Sequence, residues 1–246
     1  MAEKNVEIKT ADGVADCELF VPENGTGPWP GVIMYPDIGG LRPVFRDMAR
    51  RLASDGFAVL IPNPFYRLSR VPVYRDFQFG DDKTTERMGE VRKVVTPPNI
   101  ERDAHAFVNF LISQPEVEKG KVGTVGYCMG GGMAMRTAAA EPDKVAAAAS
   151  FHGSQLASAE PDSPHTLAPK IKARMYFGFA IEDRTMPPEA VDRLKAALDA
   201  AGVKYDGETF AGARHGWCVK DHHVYHEAQA EHAWHHLVHF FKETLQ

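Results

Sequence analysis

The most constraining feature of this 246-residue chain is the segment Gly126–Gly130, which reads Gly-Tyr-Cys-Met-Gly. The apolar run Lys121–Val125 before it is typical of a buried strand, and Met133–Ala140 after it is a good helix former. A strand, a tight turn with a nucleophilic residue between glycines, and a helix together form a nucleophile elbow. The sequence therefore predicts an α/β fold in which Cys128 lies at the turn.

The glycines around Cys128 can be explained by a nucleophile elbow, by a phosphate-binding turn or by a turn that holds a buried structural cysteine. Side chains beside a strained turn would collide with the strand and the helix, so an elbow needs glycine on both sides of the nucleophile. At the start of the helix, the helix dipole favours a thiolate. Glycine-rich turns also bind dinucleotide phosphates, or hold a buried structural cysteine. The chain has no G-x-G-x-x-G or G-x-x-x-x-G-K-[ST] string, which favours the elbow.

Short apolar runs alternate with helix-like segments along the rest of the chain. This alternation predicts one α/β domain over residues 1–246, with a mostly parallel sheet flanked by helices. A leading antiparallel hairpin is predicted around the turn Ala11–Gly13, between Val6–Ile8 and Cys17–Val21. Buried strands are predicted at Pro30–Tyr35, Phe57–Ile61, Val122–Tyr127, Val145–Phe151 and Arg174–Gly178.

Helices are predicted where apolar residues recur three or four positions apart. These sets include Val44, Met48 and Leu52; Ile100, Ala104 and Val108; Ala190, Leu194 and Leu198; and Trp234, Leu237, Val238, Phe241 and Leu245. The segment 62–98 interrupts the alternation of strand-like and helix-like segments and has aromatic residues interspersed among arginines. An insert of this length predicts a lid over a site, and the alternative is a surface excursion packed by its own aromatics.

A thiol nucleophile needs a base, and the base needs an orienting acid. On an elbow fold they follow the nucleophile in the order acid, base. Asp183 comes directly after a predicted strand and is the predicted acid, with Glu182 as its competitor. His215 precedes the last helix and is the predicted base. The alternative for either carboxylate is a solvated loop charge.

An oxyanion hole needs two backbone N–H groups. One is predicted at Met129, the residue after the nucleophile. The other is predicted at Ile38, in the loop after the strand Pro30–Tyr35, where two following glycines allow a close approach.

Most of the other histidines lie in the last helix region, several of them four residues apart. Such pairs can bind a metal ion. No H-E-x-x-H motif is present, and thiols and carboxylates are sparse around them, so a solvated helix face without metal is predicted. The pairs are His222 with His226, His232 with His236, and His235 with His239.

Bulk properties narrow the possible partners. The formal net charge is −5 and no basic arm is present, which argues against nucleic acid. No apolar stretch is long enough to span a bilayer, and residues 1–10 lack the apolar core of a signal peptide. Three cysteines suit a reducing compartment. A cytoplasmic protein with a small-molecule partner is predicted, and the sequence specifies no oligomeric state.

The motifs G-Y-C-M-G-G, E-D-R-T-M-P and R-H-G-W together resemble the dienelactone hydrolase family, the carboxymethylenebutenolidases. The resemblance extends from about Val14 to Phe241. It implies a single α/β-hydrolase domain with no metal or organic cofactor, which hydrolyses the lactone ring of dienelactones. It also implies a triad of Cys128, Asp183 and His215.

The resemblance implies two further roles. A carboxylate after the third strand holds the family's thiol in an inward resting state, and Asp37 stands at that position; alternatively it is a polar loop residue. Two arginines clamp the substrate carboxylate in the family. Arg67 matches the first, whereas the second is replaced by Val219, with Lys220 or Arg214 as neighbouring substitutes.

Four residues near the motifs are predicted to line the substrate pocket, and the alternative for them is the core. They are Tyr127, Phe151, His152 and Trp217. The predicted function is hydrolysis of a small ester or lactone through a Cys-His-Asp triad and a thioester. The alternatives are a carboxylesterase or peptidase that uses the same triad, and a non-catalytic ligand-binding protein of the same fold.

Overall fold

An eight-stranded sheet runs through the protein, whose computed structural model describes residues 2–246. The strands are β1 Ala2–Thr10, β2 Gly13–Val21, β3 Gly31–Tyr35, β4 Ala58–Pro62, β5 Val122–Tyr127, β6 Val145–Phe151, β7 Arg174–Glu182 and β8 Tyr205–Arg214. Their order is β1-β2-β4-β3-β5-β6-β7-β8. Strand β2 is antiparallel to β1 and β4, and β3 to β8 run parallel. The predicted α/β class with a mostly parallel sheet is confirmed.

Within the described part of the chain, six α-helices cover the two faces of the sheet. They are α1 Pro43–Ser54, α2 Asp82–Val94, α3 Pro97–Ser113, α4 Met129–Ala140, α5 Pro188–Ala201 and α6 Glu227–Leu245, and a short 3-10 helix spans Pro164–Lys170. One core contains Leu52 of α1 and Leu237 of α6, and the other contains Phe107 of α3 and Met133 of α4. The central strands β3, β4 and β5 are buried along their whole length, because helices cover both of their faces.

The insert at 62–98 contains the helix α2, which the apolar periodicity did not predict. Asp81 caps this helix, since its carboxylate accepts a hydrogen bond from the Thr84 amide at 2.9 Å. The helix buries only Thr84, Met88 and Val91, so its apolar signal in the sequence is weak. Before α2, the Phe77 ring makes edge contacts with Tyr74 and Phe79. The insert is therefore packed by its own aromatic residues and also reaches the cavity described below.

The strand order places the loops that carry the predicted site residues together. Strand β3 pairs with β4 on one side and β5 on the other, so the chain leaves their carboxyl ends in opposite directions. Such a switch point opens a crevice at the carboxyl edge of a parallel sheet. Among residues 2–246, no helix is both long and apolar enough to cross a membrane.

Candidate active site

Cys128 lies in the tight turn between β5 and α4, with φ 55° and ψ −120°. The backbone approaches itself closely on both sides of this residue. A Cβ atom at Gly126 would lie 1.8 Å from the Gly130 carbonyl oxygen, and one at Gly130 would lie 2.4 Å from the Tyr35 carbonyl oxygen. Both contacts are with backbone atoms that cannot rotate away, so the turn requires glycine at both positions.

His215 and Asp183 come from the ends of the neighbouring strands β8 and β7. The His215 Nδ1 atom lies 2.7 Å from the Asp183 Oδ2 atom. The other Asp183 oxygen accepts hydrogen bonds from the Thr185 amide and hydroxyl, at 2.8 and 2.7 Å. Both carboxylate oxygens are engaged, which fixes the orientation of the imidazole ring.

The protonation states of this pair are set by opposing effects. Burial lowers the pKa of His215, but hydrogen bonds and charges of Asp183 and Cys128 outweigh it and raise the pKa to about 10. Burial likewise opposes the charge of Asp183, but the hydrogen bond and charge of His215 hold the pKa of that carboxyl below its usual value. The arrangement therefore favours an imidazolium beside a carboxylate, next to the Cys128 sulfur.

The structure places Asp183, rather than its competitor Glu182, against the histidine ring. The Glu182 side chain points to solvent, and its nearest cation is the exposed Arg214 guanidinium at 3.6 Å. Glu182 contributes only its backbone carbonyl, which accepts a hydrogen bond from the His215 amide at 3.3 Å. At the end of β7 the register with β8 shifts, and Ile181 and Glu182 are both exposed, whereas Asp183 follows the strand and turns towards His215.

A cavity of about 730 Å³ opens above Cys128. Its walls come from the elbow, the loop after β3, the insert and the loop after β8. Representative lining residues are Ile38, Met88, Arg92, Cys128, Met129 and His215. The volume is in the range typical of sites for small molecules.

The two predicted oxyanion donors both line this cavity. Met129 opens α4, so its amide belongs to the first helical turn, which has no acceptor within the helix. The Ile38 carbonyl accepts a hydrogen bond from the Tyr74 hydroxyl at 2.9 Å, which fixes the loop after β3. Within residues 2–246, no protein acceptor pairs with the Ile38 or Met129 amide.

Asp37 belongs to a buried charge network rather than contacting the thiol. Its carboxylate accepts hydrogen bonds from Arg42 at 2.6 and 2.9 Å and from the Gly39 amide at 2.8 Å, and it lies 2.9 Å from the His222 Nε2 atom. Burial would raise the pKa of Asp37, but His222 and Arg42 hold it well below the usual range. These partners occupy both carboxylate oxygens, so the predicted gating contact with Cys128 is not formed.

Arg67 lies away from the cavity, contrary to its predicted role in binding the substrate. Its guanidinium donates to Asp103 at 2.7 and 2.9 Å and to Asp12 at 3.0 Å. Two carboxylates therefore neutralise this charge within the protein. The neighbouring positions supply no second cation either: Val219 is buried, and Lys220 lines a separate groove between α1 and α6.

Three of the four residues predicted to line the pocket are core residues instead. Tyr127 and Phe151 stack with ring centroids 5.7 Å apart, and Trp217 is fully buried. Tyr127 follows the strand alternation and faces away from Cys128, which is why adjacency in sequence misplaces it. The fourth, His152, is buried behind His215, with the two ring centroids 5.0 Å apart. Burial lowers the pKa of His152 well below its usual value, so this ring is neutral.

Two polar residues of the site escaped the sequence analysis. The Ser154 hydroxyl lies 3.3 Å from the Cys128 sulfur, and the Ser154 amide donates to the Cys128 carbonyl at 3.0 Å. Thr185 orients Asp183 as described above. A signal for Thr185 is present in the Asp-Arg-Thr string, since an aspartate carboxylate favours a local turn by accepting a hydrogen bond from the amide two residues on. Ser154 carries no comparable signal, because its role depends on the neighbouring strand order.

Comparisons with known proteins bear on the family and the fold of the chain. A sequence model of the dienelactone hydrolase family matches residues 16–245. A Methylorubrum extorquens protein, provisionally named carboxymethylenebutenolidase, is 26% identical over 241 residues, which cover 97% of this chain and 80% of the relative. A Synechocystis protein of the same provisional name is 27% identical over 228 residues, which cover 89% of this chain and 88% of the relative.

The fold has close structural neighbours as well. A Klebsiella pneumoniae structure, provisionally described as a dienelactone hydrolase, matches with a TM-score of 0.86 at 22% identity, over 98% of both chains. This likeness confirms the predicted α/β-hydrolase fold, and the family match confirms the predicted class of hydrolase acting on ester or lactone bonds. Because the family model spans nearly the whole chain, the protein belongs to the dienelactone hydrolase family.

Proposed function

We propose that the protein hydrolyses small carboxylic esters or lactones through Cys128 and a thioester intermediate. One observation carries the proposal: Cys128 in its strained turn and the Asp183-oriented His215 face the same cavity. Strained backbone is retained where the surrounding structure fixes it, and such residues concentrate at functional sites. A protein that only binds a ligand has no need of this thiol, imidazole and carboxylate together.

In the first half of the reaction, the Cys128 thiolate attacks the carbonyl carbon of the bound ester. The carbonyl oxygen becomes an oxyanion, which the amides of Ile38 and Met129 stabilise by hydrogen bonds. The tetrahedral adduct then expels the alkoxide or enolate, which takes a proton from the His215 imidazolium. The products of this half are a thioester on Cys128 and the released alcohol, or the opened ring when the substrate is a lactone.

In the second half, neutral His215 removes a proton from water, and the resulting hydroxide attacks the thioester carbonyl. The second adduct expels the Cys128 thiolate and leaves a carboxylic acid. His215 then carries the proton that it took from water, and its high pKa keeps it as the imidazolium beside the thiolate for the next cycle. A thiolate is a good leaving group, so the first adduct returns to substrate unless the alkoxide, enolate or amine of the substrate leaves as readily. Cys128 and His215 therefore suit activated esters and enol lactones better than amides.

The cavity also favours a substrate that carries a negative charge. Arg92 of α2 lines the cavity, and no carboxylate in residues 2–246 forms an ion pair with it. Arg136 lines it as well, but its guanidinium donates to Glu101 and to the Asp162 carbonyl. Arg92 therefore replaces Arg67 as the cation that we propose for contact with a substrate carboxylate.

Replacement of the nucleophile tests the proposal. Cys128→Ala should lower turnover of a chromogenic short-chain aryl ester by at least about 10³-fold, because it removes the thiol that forms the proposed acyl intermediate. Cys17→Ala is the matched control, since that thiol is buried in β2, and it should keep full activity. Circular dichroism would show that both variants fold. Undiminished turnover by the Cys128→Ala protein contradicts the proposal.

Alkylation provides a second readout that does not depend on the choice of substrate. Burial raises the pKa of Cys17 to about 12 and that of Cys218 well above its ordinary value, so both remain protonated at neutral pH. Iodoacetamide should therefore add one label per chain, on Cys128. Rates on cis- and trans-dienelactone, a neutral aryl ester and a peptide anilide would then separate the lactonase from the carboxylesterase and peptidase alternatives.

A further inference from the structure

Three potential metal ligands converge on the outer surface of the protein, where β8 meets α6. His232 and His236 lie one turn apart on α6, and Glu208 extends from β8. Their ligand atoms lie within 4.8 Å of one another. The two Nε2 atoms are 2.9 Å apart, and the Glu208 Oε2 atom lies 3.1 Å from His232 Nε2 and 3.6 Å from His236 Nε2.

These separations fit a tetrahedral metal ion. Zinc binds imidazole nitrogen and carboxylate oxygen at about 2.0–2.1 Å, and tetrahedral angles then place neighbouring ligand atoms about 3.3 Å apart. The three distances in the protein lie on both sides of this value, so only small side-chain rotations are needed. Two imidazoles and one carboxylate leave a fourth position for water.

The surroundings hold the ligands in place and leave the carboxylate free of competing cations. The His236 ring stacks on Tyr176 at 5.9 Å, and the His232 ring meets Phe210 edge-on at 5.5 Å. In residues 2–246, Glu208 has no lysine or arginine partner. The arginine that faces this part of the sheet, Arg174, is engaged by other carboxylates, those of Asp206 and Glu243.

We propose that Glu208, His232 and His236 form a binding site for a divalent transition-metal ion such as Zn²⁺. The bound ion would link α6 to the edge strand β8 and stabilise their contact, independently of the proposed hydrolysis. This assignment reverses the prediction of a metal-free histidine face. The third ligand lies 24 residues before His232, so the sequence around α6 gives no sign of it.

Calorimetric titration with zinc chloride tests the site. The protein should be untagged and carry Cys128→Ser, because the active-site thiol and imidazole could also bind zinc. We expect one ion per chain at this site and a rise in the melting temperature of roughly 5–10 °C when zinc is at about 100 times its Kd. In the same background, His236→Ala and Glu208→Gln should each weaken binding by at least about tenfold.

His235→Ala is the matched control. It removes an exposed histidine from the same helix that is not part of the cluster, and it should leave zinc affinity unchanged. Glu208→Gln alters one half-exposed polar side chain and keeps its shape, so its effect does not depend on loss of folding. Equal zinc affinity in the parent, His236→Ala and Glu208→Gln proteins would overturn the proposal, as would an equal loss on His235→Ala.

Discussion

Individual charges around the cavity determine which substrates the proposed enzyme can hold. Arg67 lies away from the cavity and pairs with Asp103, and Arg136 in the cavity wall pairs with the Glu101 carboxylate, so neither can attract a substrate anion strongly. Arg92 differs because it combines a place in the cavity wall with the lack of a carboxylate partner in residues 2–246. Its side chain reaches the cavity from α2 of the insert, so binding of a charged substrate would depend on the position of α2.

A charge deletion at Arg92 should separate anionic from neutral substrates. For Arg92→Met we expect kcat/KM on an ester that carries a free carboxylate to fall about two- to fivefold, because an exposed ion pair contributes little in water. The value for a neutral ester should stay constant. The loss should shrink in high salt, which screens exposed charges. Steady-state kinetics on the two esters provides the measurement.

Arg75→Met is the matched control for this deletion. It removes the same charge from the same insert, but Arg75 is exposed and is not among the residues that line the cavity. Equal losses on the anionic and neutral esters in Arg92→Met, or the same selectivity change in Arg75→Met, would contradict a direct contact with the substrate carboxylate.

Among the elements, the connection of β5 to α4 has the least tolerance for change. Both glycines beside Cys128 face backbone carbonyls, and a side chain at either position must displace the strand or the helix. The glycine in α2 lies at the other extreme, since a Cβ atom on Gly89 would meet nothing within 4 Å. The two elements therefore allow a comparison between a glycine that lets two backbone segments approach closely and a glycine that only destabilises a helix.

Alanine substitutions at these glycines should change stability in opposite directions. Gly126→Ala should lower the free energy of unfolding by at least about 3 kcal/mol, because its Cβ atom overlaps a backbone oxygen. Gly89→Ala should raise it by about 0.5–1 kcal/mol. Gly89 lies inside a helix, and alanine loses less conformational freedom than glycine when the chain folds. Urea unfolding of both variants checks the pair. A Gly126→Ala protein as stable as the parent would show that the turn can open without cost.

The elements also show where sequence patterns succeed and where they fail. The predicted bounds of β5 and β6 match the structure, since a fully buried strand appears as a continuous apolar run. Helix α2 was not predicted, because its exposed face carries many polar residues. The aromatic residues assigned to the pocket were misplaced for a similar reason: Tyr127 and Phe151 follow the alternation of a strand, and sequence proximity to Cys128 does not reveal which face they occupy.

At the scale of the whole molecule, one charge network joins three distant parts of the chain. Asp37 follows β3, Arg42 precedes α1, and Asp221 and His222 belong to the loop between β8 and α6. His222 and Asp37 are 185 residues apart in sequence. The network connects the proposed oxyanion loop to the loop that follows His215. Such long-range pairing could not be predicted from one sequence, which placed Asp37 in the loop after the third strand and His222 in the last helix region, with no sign of contact between them.

Removal of the Asp37 charge should destabilise the protein in a pH-dependent way. At pH 7, Asp37→Asn should lower the free energy of unfolding by about 3–5 kcal/mol, because it leaves Arg42 buried without its main partner. The folded pKa of Asp37 lies below its unfolded value of about 3.9, so the carboxylate stabilises the fold above that pH. This contribution is lost as pH falls through the folded pKa, and the difference between variant and parent should then shrink.

Urea unfolding at pH 7 and pH 3 measures this difference. Asp47→Asn serves as the control, because Asp47 is exposed and its ion pair within residues 2–246 is with the half-exposed Arg50, so its effect should stay within about 0.5 kcal/mol. A difference between Asp37→Asn and the parent that grows towards acid pH would contradict the assigned direction of the Asp37 pKa shift.

The turn at Cys128 has a consequence for protein engineering. Its shape is imposed by the glycines and by the close approach of β3, β5 and α4, and none of those contacts involves the sulfur atom. The backbone geometry at position 128 therefore does not depend on the side chain that this residue carries. Serine, selenocysteine or a noncanonical nucleophile placed there would be presented to the same cavity, so new reactivity could be sought by exchange of one side chain on an unchanged scaffold.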